Sequence, residues 1–255
     1  NVITNITRDV LTEARLSIKN GGEARSFDQL TAQIADRAKT ISQNWPNVVI
    51  NATGVILHTN LGRSPLSHRT TEAATTSASL YSDVELSLST GKRGNRNTHI
   101  SNLIAEVTES KAGIAVNNNA AGVLLTLAAI AGEKQVKNQV IVSRGESVEI
   151  GGGFRIPDVM RQSGATLVEV GTTNRTYSSD YESAINSQTA AILKVHPSNF
   201  VVDGFTHAPD LKEIVAVGKR HGVPVLNDLG SGCLIDTRKY GLKQEPQVQS
   251  SISDG

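Results

Sequence analysis

Apolar residues fall into two rhythms along this chain. Up to residue 42 they recur at helical spacing. Val10, Leu11, Ala14 and Ile18 form one stripe, and Leu30, Ile34, Ala38 and Ile41 form another. Helices are therefore predicted over 4–19 and 26–42. Gly21 and Gly22 separate them, and Ser26 with Gln29 three positions on has capping-box spacing. Trp45 and Pro46 close this arm. From Val48 onward short apolar runs alternate with amphipathic stretches. Strands are predicted over 113–116, 139–143, 166–170, 190–195 and 223–227, with helices over 101–110, 119–131, 155–163, 179–186 and 208–221. Strands spaced by helices predict an α/β fold, a mostly parallel sheet covered on both faces. Ligands of such sheets bind at the carboxyl ends of the strands. No internal repeat or coiled-coil heptad interrupts the pattern.

Composition narrows this picture. An apolar content of 38% against 19% charged residues marks a globular chain. A net charge of +1 means that any nucleic-acid contact must come from a local patch. The single cysteine, Cys233, rules out an internal disulfide and fits a reducing cytoplasm. The apolar stretch over 122–131 is too short to span a bilayer, so no membrane association is expected. The chain opens on Asn1 rather than a methionine and stops at Gly255 with no terminal signal, so it is expected to be a stretch of a longer protein.

Residues that could carry chemistry gather at predicted strand ends. Residues 51–65 pack two glycines, a proline, His58, Arg63, two asparagines and two threonines around the short run Val55, Ile56 and Leu57. Backbone that approaches a ligand closely uses such residues. Asn117, Asn118, Asn119 and Ala120 sit between a predicted strand and a helix. Backbone amides and the helix dipole there favour a phosphate; an ordinary asparagine cap explains the same residues. Neither a Walker loop nor a G-x-G-x-x-G turn is present. Asp228 ends a strand and opens a glycine-rich turn with Ser231. It would face a pyridinium nitrogen, as in many pyridoxal phosphate (PLP) enzymes, or merely cap its turn. His196, held extended by Pro197, ends another strand and precedes Ser198. It would pack on a cofactor or satisfy a buried carbonyl. Lys92, Arg93 and Arg96 form a basic loop suited to an anion, or a solvated turn. The scattered histidines predict no metal site, and G-x-S-x-G is absent.

Several ordered motifs then carry a resemblance. They are residues 51–65, 90–94, 117–121, 142–146, 149–152, 154–158, 169–175, 195–200 and 228–232. From about Val48 onward the chain closely resembles the bacterial selenocysteine synthases, the L-seryl-tRNA(Sec) selenium transferases. The resemblance implies the large domain of a fold-type-I, aspartate aminotransferase-like PLP enzyme over 47–255, cut short at its C-terminus. Residues 1–46 would be a helical arm from a tRNA-binding or linker region. The implied activity is PLP-dependent conversion of seryl-tRNA(Sec) to selenocysteyl-tRNA(Sec) with selenophosphate, through an aminoacrylyl intermediate, in the cytoplasm and in a homo-oligomer, a ring of dimers. By motif position Asn117, Asn118, Asn119 and Ala120 would hold the PLP phosphate and Asp228 would face the ring nitrogen. Arg144 would stack on the ring, with His196, Ser198 and Ser231 as further contacts. Arg63, Arg93 and Arg96 would meet the anionic substrate. The family's Schiff-base lysine would lie just past Gly255, so these residues alone are expected to be inactive. Two alternatives share the motifs: a PLP lyase acting on a small phosphorylated amino compound, and a non-catalytic truncated homologue.

Overall fold

The computed structural model describes residues 1–43, 45–150 and 152–255. Asn44 lies outside the described residues, as does Gly151 of the 149–152 motif. The chain divides into two compact units, Asn1–His68 and Arg69–Gly255.

The first unit opens with a helical hairpin, α1 (Val2–Lys19) and α2 (Phe27–Ser42). The Ser26 hydroxyl accepts the Gln29 amide at 3.2 Å, and the Gln29 side chain accepts the Ser26 amide at 2.8 Å. This is the capping box that the spacing predicts. Ile6, Val10 and Ala14 are the buried positions of α1, one helical turn apart. Arg37 of α2 grips Glu13 of α1 through two hydrogen bonds, at 3.0 and 2.7 Å.

The second unit is the α/β body. Helix α3 (His68–Ser79) begins at the division and leads to a hairpin of β1 (Leu86–Ser87) and β2 (Lys92–Arg93). Helices α4 (Asn97–Thr108) and α5 (Asn119–Ala131) follow, then strand β3 (Gln139–Ser143). A second hairpin, β4 (Glu149–Ile150) with β5 (Phe154–Arg155), runs into α6 (Ile156–Ser163). The remaining elements are β6 (Thr166–Val170), α7 (Ser178–Ala184), β7 (Thr189–Val195), α8 (Leu211–His221), β8 (Val225–Asp228) and α9 (Val248–Asp254).

Four of these strands form one sheet in the order β6-β3-β7-β8, with every pair parallel. Alternation along the strands divides the core. Val140 and Val142 of β3 pack with Val123 and Leu127 of α5 and with Ile156 and Met160 of α6. Ile141 and Ile192 face the other way, with Tyr181 of α7 and with Ile214 and Val217 of α8. Burial on both faces is why the central residues of β3 and β7, 140–142 and 190–193, are continuously apolar.

One expected strand is corrected. Residues 113–116 take no strand pairing, and Ile114 is 61% exposed. They line one wall of a cleft whose other wall is β8. An apolar run becomes a strand only where a neighbour supplies the ladder hydrogen bonds, and β8 stands across the cleft instead.

Tyr181 is fully buried, and its hydroxyl has no hydrogen-bond partner among the described residues. Burial, and secondarily the nearby Glu146 charge, push its phenol well above the usual range; Ser143 is near enough to oppose the shift without meeting hydrogen-bond geometry. An unpaired buried hydroxyl is costly, so Tyr181→Phe should leave stability unchanged or raise it by about 1 kcal/mol. Denaturant melts showing a loss of more than about 1 kcal/mol would reveal a partner for the hydroxyl.

Candidate functional site

The site is built from the end of β8. Val195 and Asp228 are paired across β7 and β8, and the His196 amide donates to the Asp228 carbonyl at 2.9 Å. The Asp228 carboxylate is buried, and burial of a charge requires donors. Asn119 supplies one through Nδ2 at 2.8 Å and the Gly230 amide supplies another at 2.9 Å. Both land on Oδ1; among the described residues no donor reaches Oδ2. Gly230 takes φ 66°, and a Cβ there would come within 3.3 Å of Ser198 Oγ. The glycine lets the turn pass close beneath Ser198.

Asn119 is the first residue of α5, so one hydrogen bond joins the helix start to the strand end. The asparagines divide the work. Asn118 is the cap: its side chain accepts the Ala121 amide at 2.8 Å. The backbone amides of Asn119 and Ala120 have no partner among the described residues, as expected for the first turn of a helix. Asn118, Asn119, Asp228, Gly230 and Ser231 line a single open cleft of about 670 Å³. The cap therefore leaves the backbone amides of Asn119 and Ala120 uncommitted, because it uses the Asn118 side chain and the Ala121 amide.

Other expected residues stand apart from this cleft. His196 lines a second cleft of about 560 Å³, and its Nε2 lies 3.8 Å from Glu245. Arg144 is paired with Glu169 at 3.5 Å, and its side chain is more than half exposed. Asn117, Ala120 and Ser198 line neither cleft.

No local sequence pattern signals the buried pair beside the second cleft. Glu146 accepts Lys194 Nζ at 3.1 Å on one oxygen and the Val195 amide at 2.9 Å on the other. Lys194 also donates to the Pro209 carbonyl at 3.0 Å. Lys194 is thus tied to two acceptors in a structural ion pair. Ser143 and Thr176 share a buried hydroxyl contact of 2.7 Å nearby.

Of the substrate-anion candidates, Arg93 and Arg96 converge in the second unit. Both are bound to Glu85, whose carboxyl they hold below its usual range, Arg96 contributing most. Arg63 belongs to the first unit. It takes φ 60°, uncommon for a side chain of its size, and its amide donates to the His58 carbonyl at 3.2 Å. Asn51 stitches the same stretch, donating to the Val55 carbonyl at 2.9 Å. Among the described residues no group of three or more His, Cys, Asp or Glu is placed to hold a metal ion. No described helix is long and apolar enough to cross a membrane.

Comparison with known proteins decides what this arrangement belongs to. The family model for L-seryl-tRNA selenium transferase matches residues 49–255. The chain belongs to the L-seryl-tRNA selenium transferase family. A selenium transferase of Moorella thermoacetica is 49% identical over 255 residues, covering 100% of this chain and 53% of that protein. One from Geobacter sulfurreducens is 55% identical over 207 residues, covering 81% of this chain and 44% of that protein. The chain thus spans about half the length of the curated selenium transferases it matches. Among solved structures, D-glucosaminate-6-phosphate ammonia-lyase aligns with a TM-score of 0.54 at 23% identity, over 66% of this chain and 45% of that one. That likeness concerns the fold, and the fold-type-I architecture implied by the sequence is the one observed.

Proposed function

We propose that this chain serves the PLP-dependent conversion of seryl-tRNA(Sec) to selenocysteyl-tRNA(Sec), with selenophosphate as selenium donor. The observation that carries it is the Asn119–Asp228 hydrogen bond, which sets a helix start and a buried carboxylate in one cleft. These residues fit PLP at both ends. The unpaired amides of Asn119 and Ala120 suit the phosphate. Asp228 Oδ2, with no donor among the described residues, suits a protonated ring nitrogen. When bound, PLP supplies the electron sink that lets the seryl hydroxyl depart and selenium replace it.

The chain's own residues bind and orient. Asn119 and Gly230 pin Asp228 Oδ1, which fixes the carboxylate and leaves Oδ2 to keep a proton on the ring nitrogen. Ser231, in the same cleft, and Ser198, against the Gly230 turn, add hydroxyl donors. For Arg144 to reach the ring it must leave Glu169, and an exposed pair of that kind costs little to break. Arg93 and Arg96 attract the anionic donor; Arg63, in the first unit, is a separate candidate for binding an anion. Family membership also supports a homo-oligomeric ring of dimers working in the cytoplasm. It favours the transferase over a lyase of phosphorylated amino compounds.

The phosphate placement is open to a direct test. The chain should bind PLP at least about tenfold more tightly than pyridoxal, which lacks the phosphate. Fluorescence titration with each compound measures this. Equal affinities would remove the α5 start from the cofactor site.

A further inference from the structure

We propose that Glu85 is a positioning residue that fixes Arg93 and Arg96 as a two-pronged receptor for a tetrahedral phosphate-type anion. The inference rests on the reading that these arginines face the phosphate-bearing donor.

Local structure brings the three side chains together. Glu85 stands one residue before β1, and the Gly94 amide donates to its carbonyl at 2.8 Å, extending the hairpin by a rung. Arg93 sits opposite Leu86, and Arg96 lies just beyond, at the cap of α4. Arg93 donates to Glu85 Oε2 from Nε at 3.1 Å and from Nη2 at 2.8 Å. Arg96 donates to Oε1 from Nε at 2.6 Å and pairs with it through Nη2. Each guanidinium thus meets Glu85 along its Nε–Nη2 side. The Nη1 groups and the outer Nη2 hydrogens remain, and those are the end-on forks that bind phosphate bidentately.

The edges in use show what Glu85 does. A competitor for the anion would occupy the forks, whereas Glu85 occupies the sides. It leaves the trio with a net positive charge, since one carboxylate faces two guanidiniums. The Glu85 side chain is 28% exposed, against 82% for Arg93 and 66% for Arg96, so the carboxylate is the fixed base and the cations are the reachable tips. Without it, two long side chains, one on a short hairpin and one at the cap of α4, would lose their shared orientation, and binding would have to restore it.

Charge alone makes the opposite prediction, which sharpens the test. Glu85→Gln removes a negative charge beside the anion, so a purely electrostatic site should bind more tightly. Positioning predicts that Glu85→Gln weakens inorganic phosphate binding by about fivefold. It predicts a similar loss for Glu85→Asp, which keeps the charge but is too short to reach both arginines. Phosphate binding is read by phosphorus NMR titration without PLP, with circular dichroism confirming the fold. Arg93→Ala with Arg96→Ala should abolish the response. Unchanged or tighter phosphate binding in Glu85→Gln and Glu85→Asp, or no binding by the unaltered chain, would overturn the proposal. A parallel titration with a short single-stranded RNA identifies the source. Weakening confined to phosphate assigns the clamp to a small donor, and equal weakening of both assigns it to backbone phosphates; either supports the clamp. PLP binding at Asp228 is measured separately, so failure of one site leaves the result at the other standing.

Discussion

Asp228→Ala should weaken PLP binding by at least about tenfold, the largest functional effect expected from a single change here. The carboxylate has two tasks. Through Oδ1 it satisfies Asn119 and the Gly230 amide, and through Oδ2 it would hold the protonated ring nitrogen. Alanine removes both and leaves two donors unpaired beside the cleft, so some loss of stability should accompany the loss of affinity. Asp228→Asn separates the tasks. Its side-chain oxygen can still accept from Asn119 and Gly230, but it offers the ring an N–H instead of a negative charge. Thermal melts of Asp228→Asn should match the parent while PLP affinity falls. Parent-like PLP affinity in Asp228→Asn would mean that the ring nitrogen lies elsewhere.

Glu146→Ala should cost about 3–5 kcal/mol, the penalty for stranding a buried partner charge. Glu146 and Lys194 side chains are only 10% and 19% exposed, so water cannot readily replace the lost partner. Two donors point at the vacated position, Lys194 Nζ and the Val195 amide, and Lys194 is held there by its second hydrogen bond, to the Pro209 carbonyl. For a chain of this size the melting temperature should fall by roughly 6–20 °C. Adding Lys194→Met to Glu146→Ala should recover much of the loss, because the stranded cation is gone and only two neutral groups, the Val195 amide and the Pro209 carbonyl, lose a partner. A single-variant loss below about 1 kcal/mol would show the pair to be solvated, as surface pairs are.

The sheet was legible where burial on both faces forces a continuous apolar run. Residues 139–143 and 166–170 and the helix over 119–131 were read with their observed bounds. Residues 113–116 were misread because their composition cannot show whether a partner strand stands within hydrogen-bonding reach. Helix α3, with few large apolar residues, and the two-residue strands of the hairpins carry too little periodicity to be seen. At the site, Asn119 and Asp228 were each named from local context, a helix start and a strand end. That they bind one another is a property of topology, and no local pattern encodes it. The arginines of the 92–96 loop were recognisable as cations, but Glu85 went unnoticed because its link to them depends on hairpin register. Glu146 was missed for a similar reason: it lies in the turn after β3, and its partner is 48 positions away on β7.

The Asn119–Asp228 contact closes a span of 109 residues. Between its ends lie β3, β6, β7 and the helices that join them, and β8 has a place at the sheet edge only once β7 stands beside it. Contacts of such long sequence separation form late, since the chain gives up loop entropy before they reward it. The cleft is therefore a product of finished folding. A chain that has collapsed but not completed its parallel pairing has no matched amides and carboxylate to offer, so cofactor capture distinguishes the native sheet from its precursors.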